Sequence, residues 1–228
     1  MKRIFFDFVS LIYPNICMAC NYSLAKGEEC ICTKCRYQLP QTNYHLLNDN
    51  PLERYFWGRI SVKKVAAYYH FNKGTNVQRL LHRLKYEGRK DIGVNIGKLY
   101  GHKLKDVDSF KDIDAVIPVP LHPAKQKKRG YNQSELFAEG LADSLQSKVI
   151  TNCVVRDNES DTQTRKSRFY RWENVSDIFK LKNFQGLAEK NLLLVDDVIT
   201  TGATIEACAQ VLSNISGVKI NVATIACA

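Results

Sequence analysis

No stretch of this chain reaches the roughly 18 consecutive apolar residues that a membrane-spanning helix needs, so no span is read anywhere in its 228 residues. Internal repeats and low-complexity tracts are also missing, which excludes solenoid and fibrous architectures. The five histidines (His45, His70, His82, His102 and His122) show no pairing at metal-ligand spacing, so no histidine-based metal centre is legible. An export signal is lacking too. Lys2 and Arg3 precede an apolar run, but Asp7 interrupts it and no small-residue cleavage site follows. Phe5, Phe8, Val9 and Ile12 fall at helical spacing instead, which predicts an amphipathic docking helix over Met1–Ile12. Acidic residues are the scarcer charge, 23 against 33 basic, and the net +10 implies anionic partners. Nucleic acid, a phosphorylated small molecule and an acidic membrane surface all satisfy it, and so does a solvated basic face.

What is present is an ordinary globular composition, 45% hydrophobic and 25% charged. The length suits one full-sized domain with a small appendage. Three stretches follow from the pattern: a cysteine module over residues 1–50, a helical lobe or hood over 51–112, and a core domain over 113–228. The polar run Asn48-Asp49-Asn50-Pro51 reads as a linker or turn between the first two. Within the hood, Val65–Phe71 reads as a strand. Val77, Leu80, Leu81 and Leu84 keep helical period, and a second helix is expected from Asp91 to about Lys105. In the core domain, strands are expected at Ile113–Val119, Val149–Val155, Leu192–Val195 and Lys219–Cys227. They alternate with helices from Gln133, capped by Asn132, and after the turn at Thr200–Gly202. Such alternation predicts an α/β fold with a mainly parallel sheet and helices on both faces.

Eight cysteines without an export signal point to metal ligation in a reducing, cytoplasmic setting rather than to disulfides. The docking helix leaves a peripheral place at the inner membrane face as the alternative. Cys17-x2-Cys20 and Cys32-x2-Cys35 stand eleven residues apart. Two such knuckles can place four thiolates tetrahedrally around Zn²⁺, a closed structural site that gives a core-poor segment its folding energy. Cys30 is an extra thiol that leaves the fourth ligand open, and free or disulfide-linked cysteines are the plainer reading. Cys153, Cys208 and Cys227 read as core residues.

The strongest chemical signal is Leu192-Leu-Leu-Val-Asp196-Asp197-Val-Ile-Thr200-Thr201-Gly202-Ala203-Thr204. A buried strand brings two carboxylates to its C-terminal edge, where open α/β sheets bind ligands. A Thr- and Gly-rich turn then opens a helix whose amides and dipole suit a phosphate. The carboxylates would repel that phosphate but accept hydrogen bonds from vicinal hydroxyls, so a ribose 5-phosphate satisfies both. The plainer alternative is a strand-turn-helix with capping threonines.

This stretch resembles the phosphoribosyl-pyrophosphate (PRPP) motif of type I phosphoribosyltransferases. The resemblance implies Asp196 and Asp197 beside the ribose, Thr200, Thr201, Gly202, Ala203 and Thr204 on the 5-phosphate, and Mg²⁺ with the pyrophosphate. The turn holding Val119 and Pro120 is then the candidate pyrophosphate loop. Ile117–Pro123, Lys128–Ser134, Thr162–Arg168, Leu84-Lys-Tyr86 and the paired Cys-x-x-Cys motifs further resemble the ComF/GntX family. That family is associated with competence, the import of transforming DNA. It implies a type I phosphoribosyltransferase-like domain behind a zinc-ribbon-like module, and other DNA-uptake proteins as partners.

Basic residues available to cover a leaving pyrophosphate stand at Lys127, Lys128 and Arg129, or at Arg165, Lys166, Arg168 and Arg171, and the sequence leaves the choice open. A third basic stretch runs from Arg79 to Lys90. Lys127, Lys128, Arg165, Arg168 and Arg171, near Tyr131, Phe169, Tyr170 and Trp172, fit a single-stranded DNA path in which cations track phosphates beside stacking rings. A phosphate wall plus solvated surface fits them equally. His122 borders the candidate pyrophosphate loop. Two functions therefore stand: a DNA-uptake factor that binds Mg–PRPP and single-stranded DNA, and a transferase moving ribose 5-phosphate to a base or amine. A regulator that keeps the fold without chemistry is disfavoured by the intact motif. No nucleobase pocket is legible, so the acceptor has no residues.

Overall fold

The computed structural model describes residues 14–156 and 178–228. The docking helix expected over Met1–Ile12 lies outside these residues. So do Arg165, Lys166, Arg168, Arg171 and the aromatics among them.

Five strands form one all-parallel sheet in the order β1-β7-β6-β2-β3. They are β1 (Lys64–His70), β2 (Ala115–Pro118), β3 (Lys148–Val149), β6 (Asn191–Ile199) and β7 (Lys219–Cys227). β6 pairs from Asn191↔Lys219 to Ile199↔Cys227, which carries both aspartates within the strand. Its run Leu192–Val195 is fully buried, as a central parallel strand covered on both faces requires. The stretch expected to be a helical hood contributes β1 to the sheet, beside β7.

Helices cover both faces. On one side lie α2 (Asn76–Tyr86), α3 (Asp91–Leu104), α5 (Gln133–Leu145) and the cysteine segment with its short α1 (Thr33–Gln38). Val77, Leu80, Leu81 and Leu84 are the buried stripe of α2, as their spacing predicts. On the other side lie α6 (Ala203–Leu212) and a two-stranded antiparallel ribbon, β4 (Val154–Arg156) with β5 (Phe179–Leu181). α4 (Pro123–Arg129) follows β2 at the sheet's edge. Cys153, Cys208 and Cys227 are all buried.

α3 and α5 pack backbone to backbone. Gly93, Gly97 and Gly101 repeat every fourth residue along α3. A Cβ on Gly97 would sit 2.8 Å from the Gly140 Cα and 2.9 Å from the Leu141 nitrogen, so only glycine permits this approach.

One expectation changes. Val149–Val155 is not one strand: Thr151 and Asn152 are exposed polar residues that leave the sheet after β3, and Cys153 and Val154 re-enter the core on the opposite face as the start of β4. The run Asn48–Pro51, read as a linker or turn, is a turn. Asn50 is only 2% exposed, and its amide donates to the Tyr44 and Val65 carbonyls at 3.2 and 2.9 Å.

Candidate functional site

The site begins with the start of α5. Asn132 caps it by accepting from the Ser134 amide at 3.0 Å, while its own amide donates to the Val119 carbonyl at 3.0 Å. One buried side chain thus fixes both the helix start and the loop after β2. Val119 also donates to Val195 at 2.8 Å, which sets the Val119–Pro120 turn beside β6.

This capped helix start presents two side chains to the aspartates. Ser134 Oγ donates to Asp196 Oδ1 at 2.9 Å, and Gln133 Nε2 donates to Asp197 Oδ2 at 2.8 Å. The Asp197 amide adds a bond to Asp196 Oδ1 at 2.8 Å. From α2, Lys85 Nζ lies 2.7 Å from Asp197 Oδ2. Burial, and then the neighbouring charge of Asp197, push the Asp196 carboxyl up to about 7. Gln133 Oε1 is buried without a partner among the described residues.

After β6 the chain turns at Gly202, which adopts φ +80° as the residue preceding α6. A Cβ there would stand 3.0 Å from the Phe56 ring. The hood segment thus packs directly on the turn, and Arg59 pairs with Glu206 of α6 at 3.0 Å. Thr200, Thr201, Ala203 and Thr204 are all exposed, and the Ala203 amide donates to Thr201 Oγ1 at 3.5 Å.

A cavity of about 280 Å³ lies between the end of α2 and α4, lined by Lys85, Tyr86, Gly88, Lys125, Lys128, Arg129 and Tyr131. It divides the basic stretches by task. Lys125, Lys128 and Arg129 face the cavity; Lys127 is not among its walls. Arg79 and Arg83 turn the other way, toward the cysteine segment. His122 Nδ1 accepts from the Ala124 amide at 3.1 Å, so this side chain caps α4, with Pro123 in the first turn and Gly130 in the left-handed conformation past its end. Those three signals for α4 stand in the sequence, where the stretch reads only as a basic cluster.

The sulfur atoms of Cys17, Cys20, Cys32 and Cys35 lie within 4.8 Å of one another. Cys20 and Cys32 stand 3.7 Å apart, matching the roughly 3.8 Å between thiolates held about 2.3 Å from a tetrahedral zinc. No disulfide is present among the described residues. Backbone amides of Cys32 and Cys35 donate to Cys17 and Cys32 sulfurs at 3.3 and 3.4 Å. Burial disfavours the Cys17 thiolate, but donation from the Cys32, Cys20 and Ala19 amides outweighs it and lowers the group to about 7. The arrangement suits a structural metal ion with no open position. Cys30 lies outside the quartet, with φ +57° and its thiol pushed up to about 12, first by burial and then by Asp91. Arg79 donates to the Ala19 carbonyl, and Arg83 to the Met18 carbonyl at 3.0 Å and Asn21 Oδ1 at 2.8 Å. These bonds dock the knuckle on α2.

Lys85, Gln133 and Ser134 are the site residues that carry no role in the sequence. Each stands in a motif quoted above, but nothing local to it announces a carboxylate 62 or more residues away.

No family model matches the chain. It is 29% identical over 219 residues to the DNA utilization protein YhgH of Escherichia coli, covering 89% of this chain and 92% of that protein. Competence protein F of Haemophilus influenzae is 26% identical, with 90% and 94% covered. Competence protein ComFC of Bacillus subtilis is 25% identical, with 89% and 80% covered. Solved structures with some overlap include adenine phosphoribosyltransferase of Saccharomyces cerevisiae, at 16% identity over 62% of this chain and 69% of that one, TM-score 0.39. The Trypanosoma brucei adenine enzyme overlaps at 14% identity, 78% and 68% covered, TM-score 0.38.

Proposed function

We propose that this chain, a homologue of YhgH, competence protein F and ComFC, is a phosphoribosyltransferase-like protein of DNA uptake or utilisation that binds Mg–PRPP and single-stranded DNA. One observation carries the PRPP part: two aspartates stand in the C-terminal half of a parallel strand that runs two residues further to Ile199 and then into a Thr-Gly turn opening a helix. On this reading the ribose hydroxyls donate to Asp196 and Asp197. The hydroxyls and amides of Thr200–Thr204 hold the 5-phosphate, and the Val119–Pro120 turn and Arg129 face the pyrophosphate. Mg²⁺, when bound with PRPP, supplies charge neutralisation to that pyrophosphate.

The protein's own residues prepare the site for such a ligand. Gln133 and Ser134 fix the two carboxylates in place before the ligand arrives, so little ordering remains to be done on binding. Lys85 holds the charge of Asp197 meanwhile and stands within reach of an anion in the neighbouring cavity. Zn²⁺ in the cysteine quartet is the structural metal of this reading. Single-stranded DNA is supported by the net charge of +10 and by the names of the relatives. A cytoplasmic setting accords with free thiols, and no helix among the described residues is long and apolar enough to cross a membrane. A second reading, turnover with a base or other amine as acceptor, is favoured by the cavity whose wall includes Lys85, the partner of Asp197.

Calorimetric titration of Mg–PRPP into the unaltered protein and into Asp197→Asn tests the first reading. Binding to the former, with a loss of at least about tenfold in the variant, is expected for a charged ligand contact. Absence of binding to both would remove PRPP and leave the DNA-linked function alone.

A further inference from the structure

We infer that the cavity between α2 and α4 is a nucleotide-binding subsite, taking one base on the Tyr86 ring and its phosphate on the α4 cations. The inference rests on the DNA-linked reading for the class of ligand, and not on PRPP binding.

Charge comes first. Among the described residues no carboxylate lines the cavity, and the ammonium of Lys85 is already answered by Asp197 at 2.7 Å. Glu87, the nearest acid in sequence, is engaged by His82 and Arg83 at 3.2 and 3.4 Å. Lys125 and Lys128 make no ion pair with any described residue, and Arg129 lies over the Tyr86 ring at 5.3 Å. Three cations therefore share one small space without a counter-charge among the described residues, which is an anion site by composition.

The rings say which anion. Tyr86 is 62% exposed even with the His82 ring 5.0 Å and the Arg129 guanidinium 5.3 Å from its ring centre, so much of its surface stays open to a base. Tyr131 is fixed by its hydroxyl, which donates to the Leu84 carbonyl, and Lys90 stands 5.2 Å from its ring centre. Inorganic phosphate needs no ring, whereas a nucleotide offers a planar face and a phosphate together. At about 280 Å³ the cavity is at the small end of ligand pockets, which suits one nucleotide unit. That unit can be a free mononucleotide or one residue of a strand.

The test titrates thymidine 5′-monophosphate, thymidine, inorganic phosphate and oligo(dT) into the full chain, into Tyr86→Ala and into Lys125→Ala/Lys128→Ala. All three side chains are exposed, so folding is retained, and unchanged thermal melting confirms it. The monophosphate is expected to bind more tightly than thymidine or phosphate. Loss of the ring should weaken it roughly tenfold, and loss of both lysines should lower the salt dependence of binding by about one to two charges. Oligo(dT) weakened in parallel assigns the site to a strand; oligo(dT) unaffected assigns it to a free nucleotide. A monophosphate that binds no better than phosphate, or equally well to Tyr86→Ala, overturns the inference. Competitive displacement by Mg–PRPP also overturns it, because the cavity would then be the far end of the PRPP site. A chain that ignores PRPP yet binds the monophosphate would separate the failure of the earlier reading from this one.

Discussion

The cysteine knuckle and the aspartate edge both gather acidic groups around a space for a cation or hydroxyl, and they are built in opposite ways. The knuckle takes all four ligands from Cys17 to Cys35 and closes them with backbone amides. The aspartate edge draws Lys85, Gln133, Ser134 and Asp197 from three distant segments, and each contact is one a ligand can replace. A site that must never open is local and complete. The aspartate edge is assembled by the fold, and its carboxylates are met by side chains of the protein itself.

The sharpest way to break this contrast is to open the knuckle. Cys17→Ser should reduce bound zinc well below one ion per chain and strip the module of most of the roughly 10 kcal/mol that such metals supply. Cys30→Ser should keep a full ion. Metal analysis with thermal melting distinguishes them, and equal zinc in both variants would assign the ligand set wrongly.

At the aspartate edge the expected effect is smaller and of opposite sign. The folded carboxyl of Asp196 is raised, so the stability it contributes is complete below the ordinary carboxylate range and is lost as pH rises through about 7. Asp196→Asn should therefore stabilise the ligand-free protein above neutrality, by at most about 4 kcal/mol, and flatten its melting temperature between acid and neutral pH. A variant less stable than the parent at pH 8 would show that the carboxylate is well solvated.

The smallest effect belongs to Lys85→Ala. Both partners of its ion pair are partly shielded, with side-chain exposures of 22% and 11%, so the loss should be about 1–2 kcal/mol in a denaturant melt. Lys85→Arg should recover most of it. No loss at all would mean that Gln133 alone suffices to hold Asp197.

The same contrast explains what could be read before the fold was known. The cysteine quartet and the Asp-Thr-Gly run are legible as clusters because their residues are contiguous or nearly so. β6, β7, α2 and α3 are legible because burial on one or two faces imposes a period. Lys85, Gln133 and Ser134 were not, since a lysine after a leucine stripe and a polar pair after a cap look like surface until the chain brings them to the sheet edge. The glycines of α3 were invisible for a related reason: their meaning lies in Gly140, on another helix. The break in Val149–Val155 was missed because apolar residues on both sides of Thr151-Asn152 fit one strand as well as two. Arg79 and Arg83 were grouped with the other cations by sign, although geometry gives them to the knuckle.

α2 carries a consequence of its own. Arg79 and Arg83 grip the knuckle through the Ala19 and Met18 carbonyls, and two residues further on Lys85 holds Asp197. One rigid strut therefore joins the two sites, and its seating at one end sets the reach of the ammonium at the other. Thermodynamic linkage is symmetric, so if a metal in the knuckle shifted α2 and changed binding at the aspartate edge, a ligand there would change metal affinity by the same factor.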